Sequence, residues 1–447
     1  MYDFKGKKVL VVGLGLFGGG VGAVRFFLRK GAHVTVTDLK PEEELREAVD
    51  ALSGLPVRFV LGGHEVKDFV SSDLVVPGPA VPPDSPYLKA AEDAGVPIIW
   101  RDNLIFLLCR SRIVGVTGSN GKSTTTALLG EILRIKDPRV LVGGNLGGSL
   151  LDEVESLPQD VPLVLELSSF QLESLKHIRR SPQVAVVLNL SPDHLDRHKT
   201  FEAYLDAKRN IVRFQGPDDL AVLNRDDPLV WSWADESEGR VVGFSARGEV
   251  EGVFLRGDEV LAEGRFLFKR DDLSLPGLHN LYNAMAASAV ALALGAGPEV
   301  VREGVRRFRG LEHRLEFVRE VGGVRYYNDS KATTPEATVA ALRAFEGNVV
   351  LIAGGYDKGL PLEKLADEIS SRTKMVLLLG GTGLKLAELI RGPRLKLCSS
   401  LEEALEEASR SAVPGDVVLL SPASASYDMF RNYEERGKKF KELVLEL

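Results

Sequence analysis

The chain has 447 residues, a formal net charge of −7 and 44% hydrophobic side chains, which suits two to four domains, each burying its own core. Acidic and basic residues are interspersed, which argues against a nucleic-acid binder and leaves any phosphate-bearing ligand to a local site. Cys109 and Cys398 offer neither a disulfide framework nor metal-ligand spacing, the opening MYDFKGKK is not a leader, and no apolar run reaches the ~18 residues of a membrane span, so a cytoplasmic protein with no membrane span is expected.

From the amino end, KKVLVVG reads as a strand, the apolar-periodic segment up to Lys30 as a helix, HVTVTD as a strand, PEEELREAVDAL as a helix and VRFVLG as a strand. This is the βαβ rhythm of a parallel sheet covered by helices. The rhythm restarts at SRIVGVTGSNGKSTTTALLGEIL, after the helix-like DNLIFLLCR, and again after HRLEFV. There GVRYYNDSK, NVVLIAGG, KMVLLLGG and DVVLLSP are each a strand followed by helix-forming sequence. Three α/β domains are expected, over residues 1–100, 101–310 and 311–447, each on a mostly parallel sheet. The stretch from Val241 to Leu275 is read as antiparallel decoration on the second.

Within the first domain, Gly13-Leu14-Gly15-Leu16-Phe17-Gly18 follows a strand and opens a helix, and Asp38 closes the next strand. That is the dinucleotide fingerprint, with Asp38 placed for a ribose hydroxyl. It equally serves another nucleotide's diphosphate, or close helix–strand packing alone. In the second domain Gly118-Ser119-Asn120-Gly121-Lys122-Ser123-Thr124 lies between the strand RIVGV and the helix TTALLGEIL. Glycines let the backbone wrap a phosphate, helix-start N–H groups point at it, Lys122 supplies a cation and the Ser123 hydroxyl can ligate Mg²⁺. Val116 stands where the strict pattern has glycine, making this a T-G-x-N-G-K-S-T variant.

Next, LVLELSSF ends in Glu166, Ser168 and Ser169, and VAVVLN runs into Leu190-Ser191-Pro192-Asp193-His194-Leu195-Asp196. Carboxylates and an imidazole at strand ends beside a phosphate loop suit a hard cation shared with triphosphate oxygens. Taken singly, Glu166 could be a helix cap and His194 a surface-loop residue. Lys208, in FEAYLDAKRNIVRF, reads on its own as a solvated surface lysine. Asn280 and Asn283 share one face at the start of an alanine-rich helix, where amides suit adenine edges or simply cap the helix. In the third domain Arg314 and Lys331 offer cations to a triphosphate or an oxyanion, and Asp329 an acceptor for a ribose.

Taken in order, GLGLFG, TGSNGKST, GGNLG, LELSSFQLE, NLSPDHLDRH, YLDAKRN, GLHNLYNA, EHRLE, NDSKAT, GGYDKG and SPASASYDMFRNYEERG resemble the Mur ligases over essentially the whole chain, and within them the branch that adds D-glutamate to UDP-N-acetylmuramoyl-L-alanine. The resemblance implies a Rossmann-like first domain for the UDP moiety, a central phosphate-loop ATPase domain and a Rossmann-like C-terminal domain for the amino acid. It implies a monomeric peptidoglycan-precursor ligase that uses ATP, two Mg²⁺ ions, the UDP-sugar and glutamate. Gly118 to Thr124 with Asn280, Asn283, Arg314, Asp329 and Lys331 would contact ATP, and Ser123, Glu166, His194 and a carbamylated Lys208 would hold the metals. Lys122, His194, Lys208 and Lys331 would be catalytic. Gly15, Leu16, Phe17, Asp38, Leu39, Asn145 and Ser168 would take the UDP-substrate, and Thr333, Lys358, Ser426, Tyr427 and Tyr433 the amino acid.

Phe17 and Leu39-Lys40 depart from familiar members in the first domain, which leaves the details of the UDP contacts open, and Tyr427 and Tyr433 depart at the amino-acid pocket, so L-glutamate or another amino acid stays open beside D-glutamate. A folylpolyglutamate synthetase-like ligase shares the central logic but lacks the dedicated first domain. A nicotinamide oxidoreductase leaves TGSNGKST unexplained, and a non-catalytic nucleotide-gated binder needs no metal cluster.

Overall fold

A computed structural model describes residues 3–14, 19–144, 150–275, 277–345, 347–357 and 359–447, the side chains of Asp152, Leu195 and Asp196 excepted. Gly15, Leu16, Phe17, Asn145 and Lys358 therefore lie outside the described residues. The chain forms two compact units, Met1–Arg270 with Leu281–Val305, and Asp271–Asn280 with Arg306–Leu447.

The first unit holds two sheets. One is parallel, with order β3-β2-β1-β4, from β1 (Lys8–Val12), β2 (His33–Asp38), β3 (Val57–Leu61) and β4 (Leu74–Pro77). Val9 to Val12 are buried on both faces, as a continuous β-branched and leucine run should be in a parallel sheet. On one face Phe4, Phe26 and Phe27 pack edge to face, with centroids 5.0–6.1 Å apart, pinning the helix Gly19–Arg29 to the sheet. Strand order reverses between β1 and β4, so the crevice for a ligand lies at their carboxyl ends.

The second sheet of this unit runs β13-β12-β11-β10-β9-β8-β5-β7-β6. Its strands are β5 (Ile113–Thr117), β6 (Leu141–Gly144), β7 (Leu163–Glu166), β8 (Val184–Val187), β9 (Leu220–Asn224), β10 (Arg240–Ser245), β11 (Gly252–Arg256), β12 (Glu259–Ala262) and β13 (Arg265–Lys269). Only β11, β12 and β13 pair antiparallel; β10 joins β9, and β11 joins β10, in parallel. The expected antiparallel patch is thus partly an extension of the main sheet. The short helix Pro228–Trp231 carries the chain back across the sheet between β9 and β10, and Val242 and Phe244 are buried like any interior strand residues. Here the reversal falls between β5 and β8, which places the phosphate-loop sequence at a second switch point.

In the other unit the order is β14-β15-β19-β16-β17-β18, from β14 (Glu316–Val321), β15 (Val324–Asn328), β16 (Val349–Gly354), β17 (Thr373–Leu379), β18 (Arg394–Leu397) and β19 (Val417–Leu420). β14 alone is antiparallel to its neighbour. The two-residue period of β16 divides its side chains between two cores. Val349, Leu351 and Ala353 pack under Ala341, Leu342, Leu365 and Ile369, while Val350 and Ile352 meet Leu401, Leu405, Phe440 and Val444. Each such side chain contributes roughly 1.5–3 kcal/mol by leaving water. The carboxyl ends of β15, β19 and β16 come side by side.

Candidate active site

β5 is wholly buried and delivers Gly118 and Gly121, with φ of +157° and +87°, to the start of the helix Lys122–Lys136. A Cβ at Gly121 would stand 2.2 Å from Asn283 Oδ1, so this glycine is required both by its backbone and by the carboxamide packed on it. Among the described residues no side chain caps the helix start at Gly121, the arrangement in which a helix N-terminus takes a phosphate. Lys122 Nζ curls back onto its own loop, donating to Gly118 O at 2.8 Å and Ser119 O at 2.9 Å.

The loop is stapled to the end of β8. Asn120 N donates to Asn189 Oδ1 at 2.8 Å, Asn189 Nδ2 returns a bond to Asn120 O at 3.0 Å, and Ser119 N donates to Asn189 O at 2.8 Å. Ser119 Oγ bonds Ser191 O and the Tyr204 hydroxyl, both at 2.9 Å. Burial pushes the Tyr204 phenol up to about 12, so it stays a neutral partner. Asn189 and Tyr204 were not singled out from sequence, although both lie in the quoted motifs NLSPDHLDRH and YLDAKRN.

Lys208, on the helix Phe201–Arg213, is 1% exposed. It is not a surface lysine. Its Nζ donates to Thr117 Oγ1 at 3.0 Å and to Gly118 O at 2.9 Å, 5.0 Å from the Tyr204 ring centroid. Burial, and then the Lys122 charge, hold its pKa well below the ordinary lysine value, against the opposing pull of Asp193 and Glu166. Glu166 is buried at the end of β7, beside β5 in register with Val116, and Ser123 is buried in the first helical turn. Those oxygens are the hard donors Mg²⁺ takes, so Ser123 and Glu166 fit such an ion, whereas an amine at Lys208 does not.

His194 is half exposed, with φ of +52°, its Nε2 3.5 Å from Asp193 Oδ2 and its ring 5.0 Å from Phe170. Among the described residues no group of three or more His, Cys, Asp or Glu side chains gathers. Ser168 is committed to a helix start: its Oγ accepts from Gln171 N while Gln171 Oε1 accepts from Ser168 N, a capping box. His198 bonds Ser169 Oγ at 2.9 Å, and burial lowers its pKa from the ordinary histidine value.

At the first sheet, Asp38 serves the loops rather than the solvent. Oδ2 accepts from Leu14 N at 2.9 Å and Oδ1 from Lys40 N at 3.0 Å, while Leu39 is exposed. A cleft of about 530 Å³ lined by Lys8, His33 and Arg58 lies at the amino ends of β1 to β3, away from these loops.

In the second unit Asp329 follows β15 and is buried. Its Oδ2 accepts from Ser421 Oγ at 2.7 Å and its Oδ1 from Leu315 N at 3.1 Å. Burial pushes this carboxyl up to about 7, outweighing its two hydrogen bonds and the Arg314 charge. Arg314 and Lys331 are half-buried beside it, with Lys331 Nζ 5.8 Å from the Tyr433 ring centroid. Arg436, which sequence reasoning missed inside NYEERG, ties two strand ends together: Nε donates to Ser330 Oγ and Nη2 to Ser330 O, both at 2.9 Å, and Nη2 also to Ser424 O at 3.1 Å.

Asn280, at the start of the helix Leu278–Ala293, is buried. Ser426 is buried, its hydroxyl making no hydrogen bond among the described residues, Thr333 is half-buried, and Tyr427 is 68% exposed, its ring 6.2 Å from that of Tyr356.

Three family models match in chain order: the Mur ligase MurD-like N-terminal domain over residues 7–100, the Mur ligase middle domain over 116–291 and the Mur ligase glutamate ligase domain over 313–424. Among curated proteins, the UDP-N-acetylmuramoylalanine–D-glutamate ligases of Roseiflexus sp. (strain RS-1) and Symbiobacterium thermophilum are 46% and 43% identical, each comparison covering 98% of both chains. Of solved structures, the UDP-N-acetylmuramate–alanine ligase MurC of Thermotoga maritima aligns with a TM-score of 0.62 at 23% identity, over 98% of this chain and 99% of that one. A pseudomurein peptide ligase of Methanothermus fervidus gives 0.58 at 20%, with the same coverage. The structural matches share the fold.

Proposed function

The chain belongs to the Mur ligase family, and from that premise we propose how its residues carry out the reaction. It is an ATP-dependent ligase that adds D-glutamate to UDP-N-acetylmuramoyl-L-alanine in peptidoglycan-precursor synthesis. The observation that carries the choice of substrate is the 43–46% identity, over 98% of this chain, to two ligases of that name. A panel of D- and L-amino acids assayed for phosphate release with UDP-N-acetylmuramoyl-L-alanine tests it: D-glutamate should stand alone, and equal turnover with L-glutamate would refute the assignment.

A carboxylate is a poor electrophile, and transfer of a phosphoryl group from ATP makes it an acyl phosphate that an amine can attack. Lys122 swings from Gly118 O and Ser119 O to the phosphates, and the uncapped helix N–H groups bind them. Ser123 and Glu166 would hold Mg²⁺, which when bound would supply charge neutralisation to the transferring group. Arg314 and Lys331 bring cations to the phosphates or the oxyanion, while Asp329 and Arg436 keep their loops in place. Asn280 and Asn283 face adenine. Thr333, Ser426, Tyr427 and Tyr433 take the amino acid. The divisions near residues 100 and 311, a cytoplasmic location and a monomeric state belong to the same proposal.

Lys208 we assign as a carbamate. Burial lowers the pKa of this amine from the ordinary lysine value and so favours the neutral form that attacks CO₂; as the N–C bond forms a proton leaves to solvent, and the product places a carboxylate where ammonium would repel a second cation. The assignment is supported by Gly118 O accepting from both Lys122 and Lys208, an arrangement that favours one of the two being neutral. Lys208→Ala should lose most activity and recover part of it with formate or acetate, and mass spectrometry under CO₂ should show a labile gain on the native protein only. Full activity in Lys208→Ala would remove the carbamate.

A further inference from the structure

Arg101 opens the helix Arg101–Leu108 and sends its guanidinium to the crevice between the carboxyl ends of β1 and β4. Two glycines make room for it. A Cβ on Gly19 would stand 3.1 Å from its Cζ and Nη2, and one on Gly78 3.3 Å from its Nη1. Any other residue at either position would press on the group. Among the described residues its one hydrogen bond runs from Nη1 to Gly13 O at 3.5 Å, and no carboxylate pairs with it. The neighbouring Asp102 instead accepts from Gln171 Nε2 at 3.0 Å.

A guanidinium carries five N–H donors in a planar fork, and leaving most of them unmatched where water is scarce is unfavourable unless a ligand completes the set. Arg101 is half-buried there, and burial lowers its pKa from the ordinary arginine value. The fork matches two anionic oxygens at once, and this crevice is the switch point at which open parallel sheets take nucleotides.

We propose that Arg101 grips the diphosphate of the nucleotide-linked substrate, holding it against Gly13, Gly19 and Gly78. The proposal rests on the reading that this sheet binds the UDP moiety. It gives the diphosphate a cationic fork that neither the glycine fingerprint nor the Asp38 carboxylate, itself an anion, supplies.

The test is calorimetry of UDP and of uridine with the wild type, Arg101→Met and Arg101→Lys, with thermal melts confirming that each variant folds. Met fills the slot without charge, and Lys retains charge without the fork. The wild type should bind UDP at least ~10-fold tighter than uridine, Arg101→Met should lose that margin with uridine affinity unchanged, and Arg101→Lys should keep a fraction of it. Should Arg101→Met not fold, the margin in Arg101→Lys decides alone. Wild-type affinity for UDP in the folded variants, or equal losses for UDP and uridine, would overturn the proposal and make Arg101 a strut. A wild type that binds no UDP would overturn the reading beneath it.

Discussion

Asp329→Asn should make the protein's stability less dependent on pH, and the size of the effect follows from where the carboxyl sits. Its pKa rises from 3.8 to about 7 because burial favours the neutral acid more than Ser421, the Leu315 amide and Arg314 favour the ion. Below pH 3.8 the acid is protonated in both folded and unfolded chains, and nothing is lost. Between there and about 7 the unfolded chain releases the proton first, so each pH unit costs the fold about 1.4 kcal/mol, about 4 kcal/mol in all. Asparagine keeps the shape and stays neutral. Its Oδ1 can accept from the Leu315 amide and its Nδ2 can donate to Ser421 Oγ, whose own proton turns toward Thr338 Oγ1 at 3.0 Å. From pH 5 to 8 the wild type should therefore lose roughly 3 kcal/mol relative to the variant, or about 6–12 °C in melting temperature. Melts of both proteins across that range read the difference directly. Parallel curves would mean that Asp329 titrates as an ordinary carboxylate, and would refute the argument from burial.

Lys122→Ala should abolish ATP turnover by ~100-fold or more while leaving the melting temperature within a few degrees, because the bonds lost are those of a half-buried side chain to its own loop; a large stability loss would show that the lysine is structural. Gly121→Ala should raise the KM for ATP at least ~10-fold, since it combines a backbone of φ +87° with a contact of 2.2 Å to Asn283 Oδ1. Adding Asn283→Ala removes the contact but not the strain, so recovery should be partial, and full recovery would refute the backbone part of the reasoning.

The phosphate loop was legible because its function lies in a run of adjacent residues, and strand, glycines and lysine can be read from eight letters. Its supports were not legible in the same way. Asn189 and Tyr204 reach the loop from 69 and 85 residues away, and only the pairing of β5 with β8 and the docking of the Phe201 helix bring them there. Lys208 is a different kind of miss. Tyr204, Ala207, Lys208 and Ile211 occupy the i, i+3, i+4 and i+7 positions of that helix and are all buried, so the sequence did place the lysine on the apolar face. Reading it as solvated gave residue type more weight than periodicity. Asp38 shows what a strand-end carboxylate does besides: a carboxylate there suggests a ribose, and the turn after β1 also leaves Leu14 N needing an acceptor, which Asp38 supplies. Three of the expected contacts of the first loop, together with Asn145 and Lys358, fall outside the described residues.

The local charges around Gly118 bear on the carbamate proposed at Lys208 and on the second divalent ion proposed beside it. The field at Lys208 is set by Lys122, Asp193 and Glu166. With the Lys208 amine neutral those three groups carry one excess negative charge, which is little to hold two divalent ions beside a triphosphate. Protonating Lys208 would cancel that charge and bring two ammonium groups onto one carbonyl. Carbamylation shifts the balance the other way by a full charge, and does so at a position the fold has already desolvated, where an anion and a cation attract most strongly. Under that proposal the same burial that would favour the reaction with CO₂ would make its product useful. An exposed lysine at this position would be protonated near neutral pH, poorly reactive and screened by water.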